Sequence, residues 1–156
     1  VHIEPINENN VAHCVRLCQE LHELGSFNSL GIAFEWDFTL YTLVGYMRDP
    51  NYYARCATDD DGNYVGLVGG KLVNFHFSPK LMGIEDGWYV REGTPGRTKI
   101  AVRLMRGFVA WCLDERGALL VQTGDIAAIN SLAVDALYKH LGFQRFGTIY
   151  KYERRT

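Results

Sequence analysis

Two apolar runs, YYARCAT (52–58) and YVGLVGGKLV (64–73), flank the polar stretch DDDGN. An Asp-Gly turn between runs of that kind commits the chain to an antiparallel β-hairpin. Farther on, EDGWYV (85–90) and ALLVQTG (118–124) also read as strands, with a helix from Thr98 to Glu115 between them. A strand–helix–strand passage calls for a parallel pair, because only antiparallel neighbours are joined by short turns. One sheet must therefore hold both regimes and splay where they meet. Open sheets bind ligands at such breaks, beyond the carboxyl ends of the strands.

The remaining elements complete a β-α-α-β-β-β-α-β-α-β order. VHIEP (1–5) suits a first strand, and NENNVAHCVRLCQELHEL carries Val11, Val15, Cys18 and Leu21 at helical intervals, with Asn7 as its cap and Gly25 as its end. SFNSLGIAF is a loop, and a second helix runs from Glu35 to Arg48, stopped by Asp49-Pro50. NFHFSPKLMGI (74–84) reads as an apolar connection, with His76 on the strand face opposite Phe75 and Phe77. In the helix that follows, Ala101, Leu104, Met105, Phe108 and Cys112 form one face and Gly117 closes it. NSLAVDALYKHLGF (130–143) is a shorter helix, and FGTIYKYE (146–153) a final strand. The expected class is α/β (α+β): a mixed, splayed sheet of about six strands and four helices, as one domain over residues 1–156.

Composition narrows the function. Net charge is −2, so nucleic acid and anionic membrane are not expected partners. No apolar run reaches the ~20 residues that span a bilayer, and the start lacks the basic and apolar blocks of a signal peptide. Cys14, Cys18 and His22 recur one helical turn apart, but Val11, Cys14, Cys18 and Leu21 are that helix's apolar stripe. They read as buried free thiols, so no metal site is expected. The three aspartates of DDDGN lack the alternating spacing of a calcium loop. The expectation is a reduced, cytoplasmic protein.

The charge that does exist is local. Arg91, Arg97, Lys99, Arg103 and Arg106 are five of 16 Lys and Arg. REGTPGRTKIAVRLM (91–105) places cations around the first turn of a helix, where the dipole already disfavours them unless an anion answers. Gly93, Gly96 and the amides of residues 97–101 suit a phosphate, with Arg97 and Lys99 supplying charge. Neither a Walker loop nor a dinucleotide fingerprint is present. The residues alone leave a plain turn with solvated cations as the other reading.

With NSLAVDALYKHLGF added, the chain resembles the GNAT superfamily of acyl-coenzyme A-dependent N-acetyltransferases, short bacterial and phage-encoded members most of all. The resemblance runs through the two early helices, the DDDGNYVGLVGG hairpin, the GWYV strand, the basic loop and helix, and the terminal LYKHLGF. It implies a loop whose amides hold the pyrophosphate of coenzyme A, and a pantetheine arm lying between strands 85–90 and 118–124. Carried onto this chain, the acetyl-coenzyme A contacts fall to Val90, Arg91, Gly93, Gly96, Arg97, Thr98, Lys99, Ile100, Ala101 and Asn130, with a ribose phosphate near Arg103 or Arg106. The loop departs from the family's Arg/Gln-x-x-Gly-x-Gly/Ala pattern: GRTKIA (96–101) keeps Ala101 but has Lys99 where glycine is usual. That departure keeps a second reading open, a non-catalytic interaction or assembly protein on the same scaffold.

For acetyl transfer to a primary amine, Glu85 or Asp86 suits the general base and Tyr138 the general acid, its phenol matched to a leaving thiolate. Tyr138 also fits as an aromatic beside the Val134, Leu137 and Leu141 stripe. The amide near Val90 would polarise the thioester carbonyl. Phe27, Phe34, Trp36, Phe75 and Phe77 are candidates to line the acceptor site, whose sequence shows no acidic cluster. The acceptor, a small molecule or a protein, stays unnamed, and a homodimer is compatible with the reading.

Overall fold

The hairpin turn forms as its residues dictate. Asp59 Oδ1 accepts the amides of Asp61 and Asn63 at 3.0 and 2.8 Å, and Gly62 takes φ 84°, a left-handed conformation that glycine adopts without a steric cost. Around this turn the computed structural model, which describes residues 1–125 and 129–147, builds a five-stranded sheet in the order β1-β2-β3-β4-β5. The strands are β1 (His2–Pro5), β2 (Tyr52–Thr58), β3 (Tyr64–Phe75), β4 (Ser78–Val90) and β5 (Leu120–Gln122). The first three pairings are antiparallel and β4–β5 is parallel, the mixture demanded by a hairpin and a crossover in one sheet.

Helices α1 (Val11–Leu24) and α2 (Trp36–Arg48) precede the hairpin, α3 (Arg97–Ala110) forms the crossover, and α4 (Ser131–His140) follows β5. Alternation along the strands divides the core. On one face Val11, Cys14, Val15 and Leu43 pack with Ala54 and Cys56. On the other, Ile100, Leu104, Met105 and Phe108 of α3 pack with Tyr53, Val68, Leu72 and Val90. All four cysteines are free, and Cys14, Cys56 and Cys112 are buried. Among the described residues, no helix is long and apolar enough to cross a membrane.

Several local expectations change. Residue 10 rather than Asn7 precedes α1: Asn10 Oδ1 accepts the Asn7 amide at 2.7 Å, while Asn7 Oδ1 accepts that of Asn9. Residues 74–84 are not a connection, because β3 and β4 pair out to Phe75↔Ser78. His76 and Phe77 form the turn at that tip, so His76 lies on no strand face. The third helix ends its α-helical run at Ala110 and closes through a π-helical turn, Trp111–Glu115. There the Arg116 amide reaches back to the Trp111 carbonyl at 3.0 Å, and the Arg116 guanidinium sits 5.3 Å over the Trp111 ring. The sheet has five strands among the described residues. The expected last strand, 146–153, begins in an irregular stretch at 146–147 and otherwise lies outside them.

Two features of β4 shape the site. Its register with β3 shifts between Gly69↔Gly87 and Gly70↔Glu85, which leaves Asp86 as the extra residue of a β-bulge. Its pairing with β5 runs only from Met82↔Leu120 to Ile84↔Gln122. Bulges bend a strand and re-aim its side chains, and here the bulge falls where the parallel neighbour departs.

Candidate active site

Beyond Ile84 and Gln122 the sheet opens into a cavity of about 670 Å³. One wall is β4 from Glu85 to Val90, the other is Gly124, Asp125 and the inner side of α4. Arg97, Thr98 and Ala101 of α3 close one end, and Leu21 and Phe27 reach it from α1 and the turn after it.

The β4 wall presents backbone donors. The Arg91 amide bonds the Val65 carbonyl at 2.8 Å. In an antiparallel pair hydrogen-bonded and non-hydrogen-bonded positions alternate, so Gly66↔Val90 and Val68↔Trp88 are the non-bonded pairs. The amides of Trp88 and Val90 therefore point away from β3, into the split that β5 leaves. The Val90 carbonyl on the same edge accepts from Arg97 Nε at 2.9 Å, which fixes that arginine at the cavity end.

The basic loop is more selective than its sequence suggests. Arg91 does not wait for an external anion: its guanidinium grips the Glu20 carboxylate of α1 with two bonds, of 2.6 and 2.9 Å. Gly93 and Gly96 take φ 75° and 68° and set the approach to α3. Of the amides at 97–101, Arg97 gives its own to the Thr94 carbonyl and Ile100 to Gly96. Among the described residues, no backbone acceptor outside the helix takes those of Thr98 and Lys99, first-turn groups that have none within it. Val90, Arg97, Thr98, Ala101 and Asn130 line the cavity, whereas Arg91, Gly93, Gly96, Lys99 and Ile100 do not. Ile100 is buried in the core instead. Arg103 turns away to the carbonyl of Val1. Asn130 caps α4, its Oδ1 accepting the Ala133 amide at 3.3 Å.

The titratable residues converge on Thr123, which the sequence reading passed over. The Thr123 hydroxyl lies 2.6 Å from Glu85 Oε2 and 2.7 Å from the Tyr138 hydroxyl, which also sits 3.1 Å from the Gly124 carbonyl. Burial pushes the Glu85 carboxyl up to about 7, with Asp86 adding to the rise while the Thr123 hydroxyl and the Gly124 amide oppose it. Burial, then the charge of Glu85, raise the Tyr138 phenol above its ordinary value, so at rest it is a weaker acid than a free phenol. Its ring is held against Trp88 and Phe143, each with centroids 5.5 Å away. Asp86, by contrast, accepts from Lys71 Nζ at 3.0 Å and from the Tyr46 hydroxyl at 2.6 Å.

The acceptor side also differs from expectation. Of the five aromatics, Phe27 lines the cavity. Phe34 packs in the α1–α2 core, edge-on to His22 at 5.6 Å. Trp36, Phe75 and Phe77 lie off the cavity, and Phe77 is fully exposed. The sequence shows no acidic cluster, yet the fold brings Glu85, Asp86 and Asp125 onto one cavity. Thr123 was detectable in principle, since a parallel register of Ile84 with Gln122 sets Glu85 beside Thr123. Glu20 carried no such signal.

No family model matches the sequence, and no curated protein matches it. Solved structures do match over the whole chain. The aminoglycoside 6'-N-acetyltransferase AAC(6')-IG from Acinetobacter haemolyticus superposes with a TM-score of 0.76 at 14% identity, covering 100% of this chain and 99% of its own. The ribosomal-protein-alanine N-acetyltransferase from Brucella melitensis biovar Abortus 2308 gives a TM-score of 0.72 at 18% identity over 99% and 100%. AAC(6')-Iy in complex with the bisubstrate analog CoA-S-monomethyl-acetylneamine gives 0.73 at 16% identity over 99% and 98%. At these identities the likeness speaks for architecture: the chain has the GNAT fold of these N-acetyltransferases.

Proposed function

We propose that this chain transfers an acetyl group from acetyl-coenzyme A to a primary amine, with both substrates bound together. The observation that carries the reading is one cavity with two chemically different ends. One end offers the Arg97 guanidinium, the first-turn amides of α3 and the inward amides of β4. The other holds a carboxyl poised near neutrality and a phenol, joined through one hydroxyl.

Each group has a task in that reaction. The Thr98 amide, with the α3 dipole, suits a diphosphate, and Arg97 neutralises part of its charge. The Val90 amide suits the thioester oxygen, where negative charge grows as the amine adds. Glu85 takes a proton from the amine, because a base near 7 is half ionised at working pH. Tyr138 gives its proton to the departing sulfur. Glu85, Asp86 and Asp125 on one cavity favour an acceptor that arrives as an ammonium ion. Arg91, spent on Glu20, anchors the loop to α1 rather than the ligand.

Calorimetry with acetyl-coenzyme A, followed by thiol-release assays with neamine and an alanyl peptide as acceptors, tests the proposal. Expected are measurable heat, a raised thermal midpoint, and thiol release that depends on an added amine. Absence of both heat and thermal stabilisation overturns it in favour of a scaffold that no longer binds the nucleotide thiol.

A further inference from the structure

We propose that Thr123 is a positioning residue that reports the protonation of Glu85 to Tyr138 by turning its single hydroxyl hydrogen from one to the other. The catalytic use of this coupling rests on the acetyltransferase reading; the coupling itself does not. Thr123 Oγ1 stands within bonding distance of both partners, at 2.6 and 2.7 Å. A threonine hydroxyl has one hydrogen and two lone pairs, so it donates to one partner at a time while accepting from the other.

Two arrangements follow. While Glu85 is ionised it is acceptor-only, and Thr123 must donate to it. Tyr138 then spends its own hydrogen on Thr123 Oγ1 or on the Gly124 carbonyl at 3.1 Å. Once Glu85 is protonated it becomes the donor to Thr123 Oγ1, and the Thr123 hydrogen turns to the Tyr138 oxygen. A hydrogen bond donated to a phenol oxygen favours its ionised form. The same protonation removes the Glu85 charge that holds the phenol's acidity down.

The order suits acyl transfer. The bound ammonium first loses one proton to solvent; then the C–N bond forms, the C–S bond breaks, one proton leaves nitrogen for Glu85, and one leaves Tyr138 for sulfur. Glu85 then passes its proton to Thr123 Oγ1 as Thr123 passes its own to the Tyr138 oxygen, and all three groups return to their starting state. Tyr138 is thus made a stronger acid by the event that precedes the need for it. The other ionisable groups facing the pair are Asp86, held by Lys71 and Tyr46, Asp125, which acts on Tyr138, and His140 on the cavity wall. Asp135 and Lys139 on α4 pair with each other.

Fluorine NMR of the protein labelled with fluorotyrosine tests this without coenzyme A or amine. The line of residue 138 is assigned by its loss in Tyr138→Phe. It is expected to move with pH at a midpoint near 7, in the wild type and in Thr123→Ser. In Thr123→Val the movement should fall by about half or more, since only the through-space field of Glu85 remains. In Glu85→Gln it should vanish. An equal response in Thr123→Val, or one that survives Glu85→Gln, overturns the proposal, and the second arm can overturn it even where Thr123→Val does not fold. A chain that fails to bind acetyl-coenzyme A still answers this experiment, so the two readings fail separately.

Discussion

The Tyr46 hydroxyl donates to Asp86 Oδ2 at 2.6 Å, and that bond divides two adjacent carboxylates which the sequence leaves equivalent. Lys71 takes the other oxygen of Asp86 at 3.0 Å. The bulge at Asp86 turns it toward α2 and β3, while Glu85 faces Thr123 and Tyr138. Both Asp86 oxygens are thus engaged by the protein's own donors. Glu85→Gln should therefore lower turnover by ~10²–10⁴-fold, the usual contribution of a general base. Asp86→Asn should cost less than about tenfold, since it loosens the bulge and removes only a secondary contribution to the raised Glu85 carboxyl. Steady-state rates with acetyl-coenzyme A and a responding amine compare the two, and a reversed ranking removes Glu85 as the base.

The pH dependence follows from the same carboxyl. Because Glu85 must be ionised to accept a proton, kcat/KM should rise with pH through about 7 and level above it. Stability should run the opposite way. The folded-state pKa is raised above the unfolded value of 4.5, so the native state holds the extra proton between 4.5 and about 7. That contribution is complete below 4.5 and is lost as pH rises through about 7. Glu85→Gln should thus exceed the wild type at pH 8 by on the order of 3 kcal/mol, converging toward it at acid pH. Urea midpoints across the range measure this, and a difference that grows toward low pH contradicts it.

Tyr138→Phe keeps the ring between Trp88 and Phe143 and removes only the hydroxyl. On the proposed reading it slows turnover by ~10²-fold or more while acetyl-coenzyme A affinity stays within about a factor of two. Calorimetry and rates together check the split; a matching loss in affinity would instead place the hydroxyl in binding.

Legibility in the sequence tracked how local each cause was. The hairpin turn is set by Asp59 and Gly62 within five residues, and the helices by stripes such as Leu104, Met105 and Phe108, so both could be read directly. The parallel crossover and the splay followed from element order. What stayed hidden depends on register. The parallel register of Ile84 with Gln122 sets Glu85 beside Thr123, whereas a one-residue shift aims Asp86 elsewhere, and no spacing in the chain announces a bulge. The Glu20–Arg91 pair joins residues 71 positions apart. It reverses the meaning of a cation that looked unanswered. Residues 74–84 misled for a different reason: they read as an apolar connection, but cross-strand pairing of β3 with β4 extends out to Phe75↔Ser78.

The two arginines of the loop should separate by function. Arg97 lines the cavity, so Arg97→Ala is expected to weaken acetyl-coenzyme A binding by about tenfold or more, the loss of one charge-assisted contact. Arg91 faces Glu20 across a partly exposed pair, so Arg91→Ala should cost roughly 1 kcal/mol of stability and change affinity little. Paired calorimetry and denaturant melts test both. Equal losses of affinity would mean that Arg91 leaves Glu20 for the ligand.

The split between β4 and β5 begins at Ile84, and Gly70 is what lets β3 lie flat against it. A Cβ at Gly70 would stand 2.5 Å from the Ile84 carbonyl oxygen and 2.5 Å from Phe108 Cζ, closer than such atoms approach. Phe108 is fully buried and Ile84 is tied to Gln122, so neither yields cheaply. Gly70→Ala should lose ~1–3 kcal/mol, the usual penalty of overpacking a core. Relief by moving β4 would also carry Glu85 away from Thr123, so the acid limb of the rate profile should shift with the melt. Gly45, on α2 with nothing within 4 Å of its Cβ position, is the counterpart. Gly45→Ala should stabilise by about 0.5–1 kcal/mol through helix propensity alone and leave the profile in place. Denaturant midpoints of opposite sign, with a pH shift in the first variant only, would tie the geometry of the base to the close approach of β3, β4 and α3.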